Sequence, residues 1–221
     1  MDIRVIMHFL EQLQRHNSKA WMDANRPSYI AAKEQFAQLV DHLLSQIQGF
    51  DPLLHQVTVP ECIFRINKND FSKKGEAPYK GHFGAGMSPG GRHSAYANYV
   101  FVLEPGNRSR VGGGIREPKS KQLALIREEI DYSNGELQQL LDAPDFAASF
   151  GGHRTKQLKL MPKGYPKTHP EAALLRYTGY QVLHYFTDEE VLSPDFTEQI
   201  LPYYRQVKPF NDFLNRSITE V

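Results

Sequence analysis

Two cationic stretches hold most of the residues able to do chemistry. Between Phe64 and His93, Arg65, Lys68, Lys73, Lys74, Lys80 and Arg92 face only Asp70 and Glu76, and from His153 to His169 stand Arg154, Lys156, Lys159, Lys163 and Lys167 with no acid. Cations at this density attract phosphate and carboxylate groups. A charge run is equally the signature of a solvated face. His82 has the side chain for a general base near neutral pH, and Glu104 for an acid or base. Basic residues interleaved with Tyr79, Tyr96, Tyr99 and Tyr165 would also suit phosphate contacts and base stacking on a nucleic acid, although no helix-turn-helix or zinc-finger pattern accompanies them.

Several common site chemistries lack their pattern. Gly84-Ala85-Gly86 and Gly112-Gly113-Gly114 do not open a helix after a strand, and no Gly-Lys-Ser or Gly-Lys-Thr follows a glycine loop, so dinucleotide and P-loop readings fail. The nine histidines form no His-Glu-x-x-His pair, and no metal and no cofactor is expected. Ser72 or Ser88 would need a base and an orienting acid from elsewhere in the fold to act as a nucleophile. Cys62, the single cysteine, excludes an internal disulfide and reads as inert packing in an apolar segment.

The composition sets the frame for these residues. With 221 residues, 40% hydrophobic, 23% charged and a net charge of +1, the chain suits one domain with an ordinary core and a near-balanced surface. No run approaches the roughly 18 apolar residues of a membrane span, and the first residues lack a signal-peptide pattern. A cytoplasmic protein without membrane contact is the expectation, with the oligomeric state open.

Hydrophobic spacing divides the chain into three parts. In residues 1–50, Ile3, Ile6, Met7, Leu10 and Leu13 predict a helix ending near His16, Ser18 caps a short second one, and Pro27 opens a long third through Ile47. Over 60–117 the period changes to two, predicting strands near 62–67, 81–88, 94–104 and 109–116 joined by short turns. Residues 118–221 then read as a helix from Ser120, a capping box of Ser133 and Glu136, a basic loop broken by prolines, a short helix opened by Pro170, an added strand at 180–186, and separate helices opened by Ser193-Pro194 and by Pro209. The expected fold is α+β, an antiparallel meander covered on one face by N-terminal and C-terminal helices.

Strand parity then sorts the candidates. His82, Gly84 and Gly86 oppose Phe83, Ala85 and Met87, while Arg110, Gly112, Gly114 and Arg116 oppose Val111, Gly113 and Ile115. In the first predicted strand, Arg65 and Asn67 oppose Phe64 and Ile66. The 94–104 strand adds Tyr96, Asn98 and Glu104. The residues assigned to a ligand face are therefore Arg65, Asn67, Lys80, His82, Gly84, Gly86, Gly112, Gly114 and Arg116, with Lys163 from the basic loop and His82 and Glu104 as catalytic candidates. Glycine leaves room for a flat ligand on a sheet, and it equally permits bulges or the close approach of other backbone. Two functional readings follow: a module binding an anionic small molecule or a nucleic acid, or an enzyme such as a hydrolase using His82 or Glu104.

The motifs Phe64-Arg65-Ile66-Asn67, Phe71-Ser72-Lys73, Pro78-Tyr79-Lys80, Leu103-Glu104-Pro105-Gly106, Gly112-Gly113-Gly114, Pro162-Lys163-Gly164-Tyr165, His169-Pro170 and Pro209-Phe210, with the Trp21 to Tyr29 segment and Phe213-Leu214-Asn215, carry a family resemblance. In this order they resemble the domain-of-unknown-function 2461 family, an uncharacterised group widespread in bacteria, over nearly the whole chain. The resemblance implies no activity, substrate or cofactor. The sequence departs from the family pattern at Lys68-Asn69-Asp70, where an Arg-Asp pair and a further arginine are usual.

Overall fold

A computed structural model describes residues 1–68, 75–151 and 155–218. The N-terminal helices are α1 (Ile3–His16), α2 (Lys19–Ala24) and α3 (Arg26–Gln48), followed by a 3-10 turn at Pro52–Leu54 and a short α4 (Val59–Cys62). Asp2 caps α1 by accepting from the Arg4 N–H, and Ser18 caps α2 by accepting from the Trp21 N–H. Helix α3 buries Phe36, Leu39, Val40, Leu43, Leu44 and Ile47 along one stripe, the heptad-like spacing that lets a long helix lie on a sheet.

The sheet contains β1 (Phe83–Met87), β2 (Asn98–Leu103), β3 (Ser109–Ile115) and β4 (Tyr180–Phe186), all antiparallel and in sequence order. Between β3 and β4 come α5 (Ser120–Tyr132), α6 (Glu136–Asp142), α7 (Pro144–Phe150) and α8 (Ala172–Leu175). The chain then forms α9 (Asp188–Val191) and α10 (Phe196–Arg216). This is the expected α+β meander, with β4 added beside β3. Among the described residues no helix is long and apolar enough to cross a membrane.

The helices flank the apolar face of the sheet. Phe36 of α3 stacks on Phe83 and Phe101, with ring centroids 5.3 and 5.7 Å apart, and Phe9 of α1 stacks on Phe83. Helix α10 lies against β3 so closely that a Cβ on Gly113 would sit 2.3 Å from Val207 Cγ1 and 2.9 Å from the Asn98 carbonyl oxygen. No side chain fits there. Gly114, at φ +112°, would place a Cβ 2.1 Å from the Tyr180 carbonyl oxygen. The glycine run thus serves helix docking and strand pairing.

Four expectations need correction. Residues 62–67 are not a strand: Cys62 ends α4, and Ile63 and Asn67 make isolated antiparallel bridges to Ala85 and Tyr79. Residues 94–97 lie outside the strand, so β2 starts at Asn98. Ser133 caps no following helix, because Asn134 and Gly135 take positive φ and α6 begins after them. Helix α10 is continuous through Pro202 and Pro209. Each proline forfeits one backbone bond, a loss offset by the buried stripe of Ile200, Tyr204, Val207, Phe210, Phe213 and Leu214.

These contacts set an expected contrast between glycines. Gly113→Ala should destabilise the protein by about 1–3 kcal/mol through overpacking, whereas Gly84→Ala, whose Cβ would meet its neighbours at 3.6 Å or more, should stay within about 0.5 kcal/mol. Urea unfolding of the two variants measures it, and equal midpoints would contradict the packing described.

Candidate functional site

Opposite residues on paired strands share a face, so the register assembles the side of the sheet away from α3 and α10 row by row. Gly84, Val102, Arg110 and Tyr185 form one row, Gly86, Val100, Gly112 and Leu183 the next, and Asn98, Gly114 and Gln181 a third. Above this floor is a cavity of about 720 Å³ lined by Phe64, Lys80, His82, Asn98, Val100, Val102, Arg108, Arg110, Arg116, Gln181, Leu183 and Tyr185. Four cations line it, and no carboxylate does among the described residues.

One end of the cavity is organised by Glu104. Its carboxylate lies 3.0 Å from Arg108 Nε and accepts from Arg110 Nη1 at 2.8 Å, and Arg110 Nη1 also donates to the Arg108 carbonyl. The β2–β3 turn that carries these residues is itself anchored. Asp188, the first residue of α9, accepts from the Gly106 and Asn107 N–H groups at 2.8 and 3.1 Å, and its own N–H donates to Asn107 Oδ1. Gly106 and Asn107 both adopt positive φ, which Gly and Asn tolerate in tight turns. Two guanidinium groups are therefore held side by side by one carboxylate on a clamped turn.

His82 Nδ1 lies 3.8 Å from Glu104 Oε2. Burial pushes the imidazole below its ordinary value, the Glu104 charge opposes that, and Arg110, Lys80 and Arg108 push further down. His82 is thus neutral at pH 7, and the cationic character of this end comes from the lysine and the arginines. Lys80 Nζ donates to the Arg65 carbonyl at 2.9 Å and lies 5.9 Å from the centre of the Phe64 ring. Burial lowers its affinity for a proton as well.

The structure brings together Lys80, His82, Gly84, Gly86, Gly112, Gly114, Arg116 and Glu104, and it separates three other candidates. Ile63 pairs with Ala85, so Phe64, whose N–H donates to the Gly84 carbonyl at 2.9 Å, takes the face assigned to Arg65. Its ring covers Gly84 and Gly86, at 3.7 and 3.3 Å from where their Cβ atoms would be. Arg65 and Asn67 instead line a second cavity of about 510 Å³ with Tyr29, Lys33 and Arg92, and Phe64 forms a wall of both. A one-residue shift of register reverses every side chain, and single-sequence parity has no means to detect it. Lys163 is exposed and away from the cavity. The downstream end of its loop is tied to α5, where His169 Nε2 donates to Asp131 at 2.8 Å while Nδ1 accepts from the Glu171 N–H.

Arg108 and Gln181 were not among the predicted site residues, nor was Arg110, although Arg110 shares the parity of Gly112 and Gly114. A signal for Arg110 and Arg108 was present: Glu104 stands six and four residues before them across a Pro105-Gly106-Asn107 turn. Ser88 is 1% exposed and its hydroxyl bonds the Ser94 hydroxyl and the Tyr96 and Ala97 carbonyls, a turn role. Ser72 lies outside the described residues. Cys62 is buried, donates to the Thr58 carbonyl, and has its thiol pushed up to about 11 by burial first and the Glu61 charge second.

With the geometry in place, comparison with known families is direct. The model of a conserved hypothetical protein family, DUF2461, matches residues 5–213. The chain belongs to the DUF2461 family. No curated protein and no solved structure shows a match, so in this DUF2461 member the arrangement of side chains carries the functional argument.

The electrostatics of His82 give a direct check. By proton NMR its ring should titrate below the ordinary 6.5, and Glu104→Gln should lower the midpoint further, because the carboxylate is the one group holding it up against burial and three cations. A midpoint that rises in Glu104→Gln would contradict the arrangement.

Proposed function

We propose that the cavity on the sheet face away from α3 and α10 binds an anionic small molecule, with its phosphate or carboxylate group seated between Arg108, Arg110 and Lys80. The observation that carries this reading is the pair of guanidinium groups fixed by Glu104 at the rim of a cavity. A carboxylate that already orders two arginines removes much of the side-chain entropy that capturing an anion costs. It neutralises one of the two charges, which leaves a net positive end once Lys80 is counted. Each guanidinium has five donors in a planar fork, and the contacts to Glu104 and the Arg108 carbonyl leave part of each fork available. A cavity of about 720 Å³ falls within the range of small-molecule sites. That size favours a discrete ligand over a nucleic-acid duplex.

A second reading, an enzyme such as a hydrolase acting on such an anion, is favoured by one observation. Burial keeps the His82 imidazole neutral beside Glu104, the state in which it can accept a proton. In that reading Glu104 orients the arginines and His82 is the base.

Sulfate tests the proposal because its charge is constant over the range of interest. NMR titration should shift the amides of Arg108 and Arg110, and the affinity should fall as salt is raised. It should strengthen as the pH is lowered through the His82 titration, below 6.5, where a new positive charge appears. Arg110→Ala should weaken binding about tenfold, the scale of one lost charge-assisted contact. Absent or salt-independent binding by the native protein would reject the reading.

A further inference from the structure

The end of the cavity opposite Glu104 has a different chemistry. Asn98 and Gln181 both stand opposite Gly114, so the two amides flank a position with no side chain between them. Asn98 Oδ1 is buried and has no hydrogen-bond partner. Gln181 retains 9% of its surface and lines the same cavity, and among the described residues its side-chain amide is paired with nothing. Buried polar groups in folded proteins are paired as a rule, and leaving one unpaired costs about 1–3 kcal/mol. One buried unpaired amide oxygen on Asn98 and, across Gly114, a second amide without a protein partner among the described residues line a ligand-sized cavity, and they mark a place where a partner from outside the chain fits. Whichever way each amide is turned, it offers both a donor and an acceptor.

Between the two polar ends the floor is flat and apolar. Val100, Val102 and Leu183 line it, and Gly112 between Val100 and Leu183 adds no side chain. Val102, the partner of Arg110, is four steps along β2 from Asn98, a run of roughly 13 Å at strand spacing. The long Arg110 side chain can shorten that gap.

Resting on the anion-binding reading, we infer that the ligand is a mononucleotide: phosphate at Arg108, Arg110 and Lys80, and the edge of the base at Asn98 and Gln181. A nucleobase joins the two properties this end requires, a flat apolar face for the Val100–Leu183 floor and an edge of alternating donors and acceptors for the amides. Asn and Gln side chains make bidentate pairs of this kind with base edges. A sugar phosphate alone would leave the flat floor without a partner, and inorganic phosphate would leave the amides without one.

The test compares inorganic phosphate, ribose 5-phosphate, AMP, GMP, CMP and UMP by calorimetry on the native chain. At least one mononucleotide should bind about tenfold more tightly than ribose 5-phosphate. Gln181→Met, close in shape but without the amide, should bring that ratio near one and leave the ribose 5-phosphate affinity unchanged. Asn98→Leu is the second variant, and thermal unfolding of both verifies that they fold. Equal binding of ribose 5-phosphate and all four nucleotides would overturn the base assignment while leaving the anion site standing. Gln181→Met and Asn98→Leu that each weaken ribose 5-phosphate and nucleotide alike would overturn it as well. Failure of every phosphate compound to bind would remove the anion-binding reading itself, and this inference with it.

Discussion

The approach of α10 to the backbone of Gly113 is the contact on which the rest of the arrangement depends. With no side chain at that position, Val207 sits where a Cβ would be, and the helix presses Tyr204, Val207 and Phe210 onto the sheet. One face of the meander is thereby closed by α1, α3 and α10 together. Among the described residues the other face receives no helix along its central rows, and the polar residues that alternate with the core residues are left to line a cavity. The same glycine run that suggested room for a ligand provides room for a helix, on the opposite side of the sheet.

Alternation made most of this visible from residue types. In β1, β2 and β3 the apolar set is consistent, and a strand has just two faces, so Phe83, Ala85, Phe101, Val111 and Ile115 could be assigned to the core and Gly84, Asn98, Arg110 and Gly112 to the other side. The segment at Phe64 resisted the same treatment. It pairs with β1 through isolated bridges rather than a ladder, and its parity is set by where Ile63 meets Ala85, a long-range fact with no local trace. Lys163 failed for a related reason, since a loop carries no periodicity from which its packing can be read. The prolines of α10 misled in the other direction: local propensity predicted two helices where burial sustains one.

The chemistry of the cavity face is divided along the strands. At the turn end, a clamped hairpin, a carboxylate and two arginines form a preorganised charged group. At the other end, two amides flank Gly114 with Arg116 two residues beyond it, and valine and leucine separate this hydrogen-bonding group from the charged one. His82, a general-base candidate by its type, has its proton affinity lowered in this setting because burial and the cations Arg110, Lys80 and Arg108 outweigh the nearby carboxylate. Residue type alone could not decide that balance, because it depends on how many cations crowd the same pocket.

The state of Cys62 has a practical bearing. With a thiol displaced to about 11, the thiolate fraction at neutral pH is on the order of one in ten thousand, and burial blocks access to the sulfur. As the chain has no other cysteine, a cysteine introduced on the surface becomes the preferred point of attachment for a maleimide dye. Fluorescent reporters can be placed near the cavity mouth without first removing the native thiol.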